Sequence, residues 1–185
     1  RGGSDRTAAD LAILLEGIYK VKIDFEKDNP VLSADPKIVN DDLEHITSLS
    51  YNEATLAGRL GMKILDPIAI KEIEENNLDV PLVITNMHNP VNITIIRKEA
   101  ETSNANPLKI VTGKKKCAIV RMESVAASHM RVTLQREKMY GDFVQLSPYI
   151  KDHTEMSRML FLDADYVKKN ERNFKAYDSK VEILY

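Results

Sequence analysis

The sequence predicts an α/β chain in two parts: a first half with a partly parallel sheet, and a second half with the βαββαβ order of a ferredoxin-like domain. Three observations predict it. Strand-like and helix-like patterns alternate through residues 1 to 97. Between Glu99 and Pro107, apolar periodicity lapses among Glu, Thr, Ser, Asn and Pro. Beyond that linker, two helical patterns are set among four short apolar runs. The boundary is placed between residues 106 and 107.

Each element has its own signal. Arg1-Gly2-Gly3-Ser4-Asp5 is a glycine turn that runs into an amphipathic stretch from Arg6 to Tyr19. Ala8, Leu11, Ala12, Leu15 and Ile18 recur at helical spacing and predict its buried stripe, with Ser4 or Asp5 as the N-cap. Val21, Ile23 and Phe25 then alternate with Lys22, Asp24 and Glu26, the period of a strand with one buried face, and Lys27-Asp28-Asn29-Pro30 ends it in a turn. A polar segment extends to about Ser50. Tyr51 to Gly61 and Pro67 to Asn76 read as helices, the second with proline where a missing N–H costs nothing. Val80 to Ile84 predicts a strand covered on both faces, and Ile93 to Ile96 another strand.

In the second half, Cys117 to Met122, Phe143 to Ser147, Met159 to Leu162 and Val181 to Leu184 read as strands. Helices are expected over Val125 to Lys138, from Ala126, Met130 and Leu134, and over Asp163 to Tyr177, from Val167, Phe174 and Tyr177.

Composition narrows the function classes. With 185 residues the chain can bury one or two real cores, and its formal net charge of −2 offers no broad basic field for nucleic acid or anionic lipid. The run Lys114-Lys115-Lys116 reads as a solvated linker. No apolar run is long enough to span a membrane and no signal peptide is recognised. Cys117 is the single cysteine, so it reads as a reduced core residue of a cytoplasmic protein. His45, His88, His129 and His153 have no ligand spacing and read as surface or packing residues. The sequence starts within a glycine motif and without Met, so a piece of a longer protein is expected.

Three polar clusters lie where a strand or helix ends, which is where open α/β sheets place ligand contacts. They are Arg1 to Asp5, Ser33-Ala34-Asp35-Pro36-Lys37, and Gly61-Met62-Lys63-Ile64-Leu65-Asp66-Pro67. Singly, each matches ordinary turn or surface chemistry: Asp-Pro initiates turns, Gly-Gly makes them, and a lone lysine is usually solvated. Their order is more specific than any one of them.

Taken together, the clusters resemble aspartokinases of the amino acid kinase superfamily, whose fold is carbamate-kinase-like. That family carries G-R-G-G-S-D, then D-V-D-G-V-Y-T-A-D-P-R, then S-Y-x-E-A, then G-A-K-V-L-H-P. This chain has Arg1 to Asp5, Lys27 to Lys37, Ser50-Tyr51-Asn52-Glu53-Ala54 and Gly61 to Pro67 in the same order, with Asn89-Pro90 ahead of a strand. The resemblance covers residues 1 to about 97, the C-terminal half of a kinase domain. Residues 107 to 185 resemble the small regulatory ACT domain that follows it, by strand order and position.

The resemblance implies ATP- and Mg²⁺-dependent phosphorylation of the L-aspartate side-chain carboxylate to 4-phospho-L-aspartate, the first step toward lysine, threonine and methionine. It implies that Arg1 pairs with a substrate carboxylate, that Gly2 and Gly3 let the backbone approach, that Ser4 orients substrate, and that Asp5 is catalytic. It further implies that Leu32, Ser33, Asp35, Pro36 and Lys37 wrap the nucleotide while Lys63 reaches its phosphates. Homo-oligomers formed through the ACT domain, and lysine or threonine as effector, are expected on the same basis.

Departures from the family pattern bear on these expectations. Pro30 replaces a turn glycine and Leu32 an aromatic, which reshapes the adenine pocket. Asp66 stands where the family has His, and Lys37 where it often has Arg. Glu123-Ser124-Val125-Ala126 lacks the glycine usual in effector-binding members. The family's phosphate-holding K-F-G-G-[TS] segment does not occur in the sequence, so no turnover is expected from this chain alone. Two alternatives stand beside the aspartokinase reading: a related kinase with another acceptor, and a noncatalytic module in which the second half senses an amino acid or pairs sheets with a second copy.

Overall fold

The computed structural model describes residues 3–39, 42–100, 109–136 and 142–185. They form two compact units, residues 1–113 and 114–185. The division falls after residue 113 rather than 106, because the segment from Lys109 stays with the first unit: Lys109 Nζ lies 3.2 Å from Glu53 Oε2, and Val111 N–H donates to the Ser33 carbonyl. Most of the expected linker, residues 101–107, lies outside the described residues.

The first unit contains α1 (Gly3–Glu16), β1 (Ile23–Lys27), β2 (Ser48–Ser50), α2 (Tyr51–Arg59), α3 (Pro67–Glu75), β3 (Leu82–Asn86) and β4 (Ile93–Arg97). Its sheet has the order β1-β3-β4-β2, with β1 parallel to β3, β2 parallel to β4, and β3 antiparallel to β4. The sheet is partly parallel, as the alternating pattern predicts. Ile23, Leu82, Ile84, Leu49 and Ile96 point from it into a core shared with Ala9 and Ala12 of α1, Tyr51, Ala54 and Ala57 of α2, and Ile70 and Ile73 of α3. The strand expected to be covered on both faces instead alternates, with Leu82, Ile84 and Asn86 buried and Val83 and Thr85 half-buried. The opposite face carries Asp24, Glu26, Ile93 and Ile95, all exposed.

Helix α1 departs from its sequence pattern. Its buried residues are Asp5, Ala9 and Ala12, whereas Leu11, Leu15 and Ile18 are exposed. The periodicity locates a helix correctly but picks the bulky face, and the small alanine face is the one that fits closely against its neighbours. Helix α2 begins with a capping box: Ser50 Oγ accepts from Glu53 N–H at 3.1 Å and Glu53 Oε2 accepts from Ser50 N–H at 2.7 Å. Between them Tyr51 is fully buried, its hydroxyl donating to the Val80 carbonyl. Burial, reinforced by the nearby Asp79 charge, pushes the Tyr51 hydroxyl well above its usual pKa. The Ser-Tyr-x-Glu-Ala segment therefore acts here as a helix start and a core anchor.

The second unit contains β5 (Ala118–Glu123), α4 (Ser124–Arg136), β6 (Phe143–Lys151), β7 (Thr154–Phe161), α5 (Ala164–Lys169), α6 (Glu171–Tyr177) and β8 (Glu182–Leu184). Its sheet is antiparallel throughout, in the order β6-β7-β5-β8, so the first and third strands of the βαββαβ unit are neighbours at the centre. That is the ferredoxin-like arrangement expected. Phe161 is the hub of its core, with ring centroids 5.2 Å from Phe143, 5.9 Å from Tyr166 and 5.4 Å from Phe174. Three expectations change. The helix predicted over Asp163 to Tyr177 breaks at Asn170, whose N–H closes α5 on the Tyr166 and Val167 carbonyls. The β6–β7 hairpin runs four residues further at its turn end than the apolar run Phe143–Ser147 marks, because exposed positions there alternate weakly. Cys117 lies just ahead of β5, half-buried with its thiol toward the Lys114 carbonyl, and is not a core residue.

Candidate functional site

The first turn of α1 and the loop from Asn29 to Lys37 meet along one segment of the first unit, residues 61–66. That segment follows α2 and opens at Gly61, whose φ of +112° is reached readily by glycine and rarely by other residues. Met62 N–H closes onto the Ala57 carbonyl at 3.0 Å, and Ile64 and Leu65 are buried. Lys63, between the glycine and these two anchors, is left exposed. The segment ends at Asp66, which caps α3: its Oδ1 accepts from Ile68 N–H at 3.0 Å, ahead of Pro67 in the first turn. Helices α2 and α3 approach so closely here that a Cβ on Gly58 would sit 2.8 Å from Pro67 Cγ.

Asp5 reaches this segment from the first turn of α1. It is not the N-cap of its own helix. Its Oδ2 accepts from Asp66 N–H at 3.0 Å, Lys27 Nζ lies 3.6 Å from its Oδ1, and Ser4 Oγ is 3.5 Å from the same oxygen. Arg6 follows it on the helix and donates from Nε to Asp66 Oδ2 at 2.7 Å. A depression of about 490 Å³ is bordered by Asp5, Arg6, Lys27, Gly58 and residues 61–67.

The third contributor is the loop from Asn29 to Lys37. Leu32 bridges to His45, and Ser33 exchanges bonds with Glu44, donating its N–H to the Glu44 carbonyl and accepting Glu44 N–H on Oγ. Burial lowers the His45 pKa, which favours its neutral form. Asp35 accepts Lys37 N–H on Oδ1 at 2.9 Å, folding the Asp-Pro-Lys turn on itself. Against this loop lies a second depression of about 280 Å³, lined by residues 29–32 and 34–37, by Lys27 and Ile84, and by residues 61–64.

The two depressions share Lys27, Gly61, Met62, Lys63 and Ile64, so they adjoin. One offers apolar walls from Pro30, Val31, Leu32, Met62 and Ile84, and the other is charged, with Arg6, Lys27 and Lys63 around Asp5 and Asp66. Both open at the C-terminal ends of the parallel strands β1 and β3, where Lys27 and Asn86 lie. Such a surface can hold a flat apolar group beside polyanionic groups, with lysine amines between them.

Of the residues read from the sequence, Asp5, Leu32, Asp35, Pro36, Lys37 and Lys63 border these depressions. Ser33 lines neither; its polar groups hold the loop shut. Gly3 and Ser4 open α1 and are exposed, while Arg1 and Gly2 lie outside the described residues. Lys27, Arg6 and Asp66 were not among the residues expected. Lys27 had a signal, a lysine ending a strand pattern ahead of a turn. Asp66 lay in the third polar cluster, at a position where the family motif carries His, but Arg6 had no signal, and sixty residues separate the two. Among the described residues, no group of three or more His, Cys, Asp or Glu is placed to hold a metal ion. No helix among them is long and apolar enough to cross a membrane.

Comparison with known proteins bears on the fold and the family. Residues 1–86 match the Amino acid kinase family. The whole chain superposes on Escherichia coli aspartokinase III in complex with aspartate and ADP, with a TM-score of 0.64 at 19% identity, covering 42% of that chain. It superposes on Clostridium acetobutylicum aspartate kinase with a TM-score of 0.63 at 20% identity, covering 43% of it. The lysine and aspartate complex of the E. coli enzyme gives a TM-score of 0.55 at 19% identity, covering 41%. Each superposition takes in 100% of the present chain, which thus spans about two fifths of the length of these enzymes. No curated protein matches the chain by sequence. The fold is aspartokinase-like, and the family match falls on its first part, residues 1–86.

Proposed function

We propose that this chain contributes the nucleotide-facing part of an aspartate kinase, a cytoplasmic enzyme that transfers the γ-phosphoryl group of ATP to the side-chain carboxylate of L-aspartate. The observation that supports the reading best is the pair of adjoining depressions joined along Gly61–Ile64, with Asp5 in one and the Asp35-Pro36 turn in the other.

The chemistry sets the demand. A carboxylate attacking a phosphate brings two anions together, so catalysis is positioning plus neutralisation, with no covalent nucleophile on the protein. In this reading the apolar walls formed by Pro30, Leu32 and Ile84 take the base, Lys37 and Lys63 take phosphates, and Lys27 bridges between the phosphates and Asp5. Asp5 has one carboxylate oxygen fixed by Asp66 N–H, which leaves the other, near Lys27, to orient the transferring group or its Mg²⁺. Mg²⁺ arrives with the nucleotide as part of the substrate, held largely by phosphate oxygens. Arg1, Gly2, Gly3 and Ser4 bind the acceptor.

The second unit is assigned in the same proposal as an ACT domain that forms homo-oligomers and responds to lysine or threonine. The junction without glycine is closed here: β5 passes into α4 with no intervening loop, and Glu123 N–H is bonded to Asp178 Oδ2 at 3.0 Å. An effector therefore binds elsewhere on this unit or between copies of it.

Isothermal titration with Mg-ADP tests the kinase reading. The chain is expected to bind, and Lys63→Ala to weaken binding by about 10- to 100-fold, the loss of one charge-assisted phosphate contact. Unchanged affinity in Lys63→Ala overturns the assignment. Binding of lysine or threonine with no response to Mg-ADP identifies the chain as a sensor module instead.

A further inference from the structure

We propose that Arg6 is a second contact for the acceptor's carboxylate and that Asp66 is the residue that positions it. The proposal deepens the kinase reading and rests on it.

Four observations carry the inference. Arg6 borders the charged depression beside Asp5, Lys27 and Lys63, and it does not border the depression that contains the Asp-Pro turn. Among the described residues its guanidinium bonds through Nε alone, at 2.7 Å from Asp66 Oδ2, and no bond is made to its two Nη groups. Its side chain is 48% exposed, so those groups are open to a ligand, whereas Asp66 at 12% is nearly enclosed. Asp66 is in turn fixed at three points: Oδ1 on Ile68 N–H, Oδ2 on Arg6, and its own N–H on Asp5 Oδ2 at 3.0 Å.

A guanidinium held through Nε presents its remaining edge as a planar pair of donors, the arrangement that pairs with a carboxylate. A lysine at the same place would be a point charge without that fork. Asp66 also ties the two functions together. It orients Arg6 through its carboxylate and Asp5 through its amide, so one helix cap sets the spacing between the proposed acceptor contact and the proposed catalytic carboxylate. The source of the anion is decided by place. A nucleotide lying along the Asp-Pro turn reaches the shared Lys27 and Lys63 with its phosphates, and Arg6 is on the far side of them, where the acceptor must sit for transfer.

The test is calorimetric binding of L-aspartate and of Mg-ADP, each to the full chain carrying Arg6→Ala, Arg6→Lys or Asp66→Asn. Asp66→Asn keeps a side-chain oxygen to cap α3 and removes the charge that orients Arg6. The expected result is a loss of aspartate affinity of about tenfold in Arg6→Ala, about threefold in Asp66→Asn and partial recovery in Arg6→Lys, with Mg-ADP affinity changed less than twofold throughout. Loss of Mg-ADP affinity equal to that of aspartate reassigns Arg6 to a phosphate and overturns the proposal, as does an unchanged aspartate affinity in Arg6→Ala. A parent chain that binds Mg-ADP in a Lys63-dependent way but does not bind aspartate also overturns it while leaving the nucleotide reading intact. A parent chain that binds neither removes both.

Discussion

The two units solve packing in opposite ways. In the second, one buried ring, Phe161, touches three other aromatics from different elements, and Ser157 is the one buried polar residue among those described. In the first, the core is built of small and aliphatic residues around Tyr51, and a charged group penetrates its seam: Asp5 is 9% exposed, and its partners come from β1 and from the cap of α3. A hub core gives one cooperative body. A seam core leaves room for ligands, since depressions form wherever loops rather than side chains close the gap. The two depressions of the candidate site and a further one of about 480 Å³ between α2 and residues 109–112 belong to the first unit.

The largest expected effect tests the hub. Phe161→Ala removes the ring that links β7 to β6, α5 and α6, and truncations of this kind cost about 3–5 kcal/mol. Hydrogen exchange should show protection lost throughout residues 118–184, while Mg-ADP affinity, a property of the first unit, is retained. A parallel loss of nucleotide affinity would show that the two units do not separate as their cores suggest.

The seam core is tested at two glycines of the first unit. Gly58→Ala places a methyl group 2.8 Å from Pro67 Cγ, and because the proline ring is fixed by its own helix, α2 and α3 must move apart. A cost of about 1–3 kcal/mol is expected, together with weaker Mg-ADP binding, since Lys63 lies on the loop joining the two helices. Gly3→Ala meets no atom within 4 Å, so thermal unfolding should shift little or slightly upward. Equal behaviour of the two variants in a melting experiment would remove close helix approach as the reason for Gly58.

Legibility in the sequence followed the same division. The second unit was readable almost entirely, because antiparallel strands and amphipathic helices announce themselves by local period; the break at Asn170, the extended hairpin and the place of Cys117 ahead of β5 escaped it. The elements of the first unit were also readable, except for β2, which at three residues is too short to show a period. What could not be read was which side of α1 is buried. Alanines and an aspartate win the interior there over leucines, because the fit against α3 and β1 demands small groups and Asp5 has partners waiting. The candidate site divides likewise. Lys63, Asp66 and Asp35 lie in contiguous segments with recognisable chemistry, whereas Arg6 acquires meaning only when the fold brings it to Asp66.

The smallest expected effect concerns acid, and it again separates the units. Burial works to raise the Glu53 carboxyl, but the Ser50 N–H and the Lys109 ammonium outweigh it and hold the group below its ordinary value of 4.5. A carboxyl depressed in the folded state stabilises the fold above its unfolded pKa, and the contribution is lost as pH falls through the folded value. Stability of the first unit should therefore decline more steeply below about pH 4.5 in the parent than in Glu53→Gln, which keeps a capping oxygen but has nothing to titrate. Since the Glu53 side chain is 41% exposed, solvent screens the pair and the difference should stay under about 1 kcal/mol. Ser50→Ala removes the other half of the capping box and is expected to cost about 0.5–2 kcal/mol at every pH. Denaturant melts at pH 7 and pH 4, followed on both variants, distinguish the two contributions: a Glu53→Gln curve that remains parallel to the parent's through pH 4 would mean that the α2 cap draws nothing from the charge of Glu53.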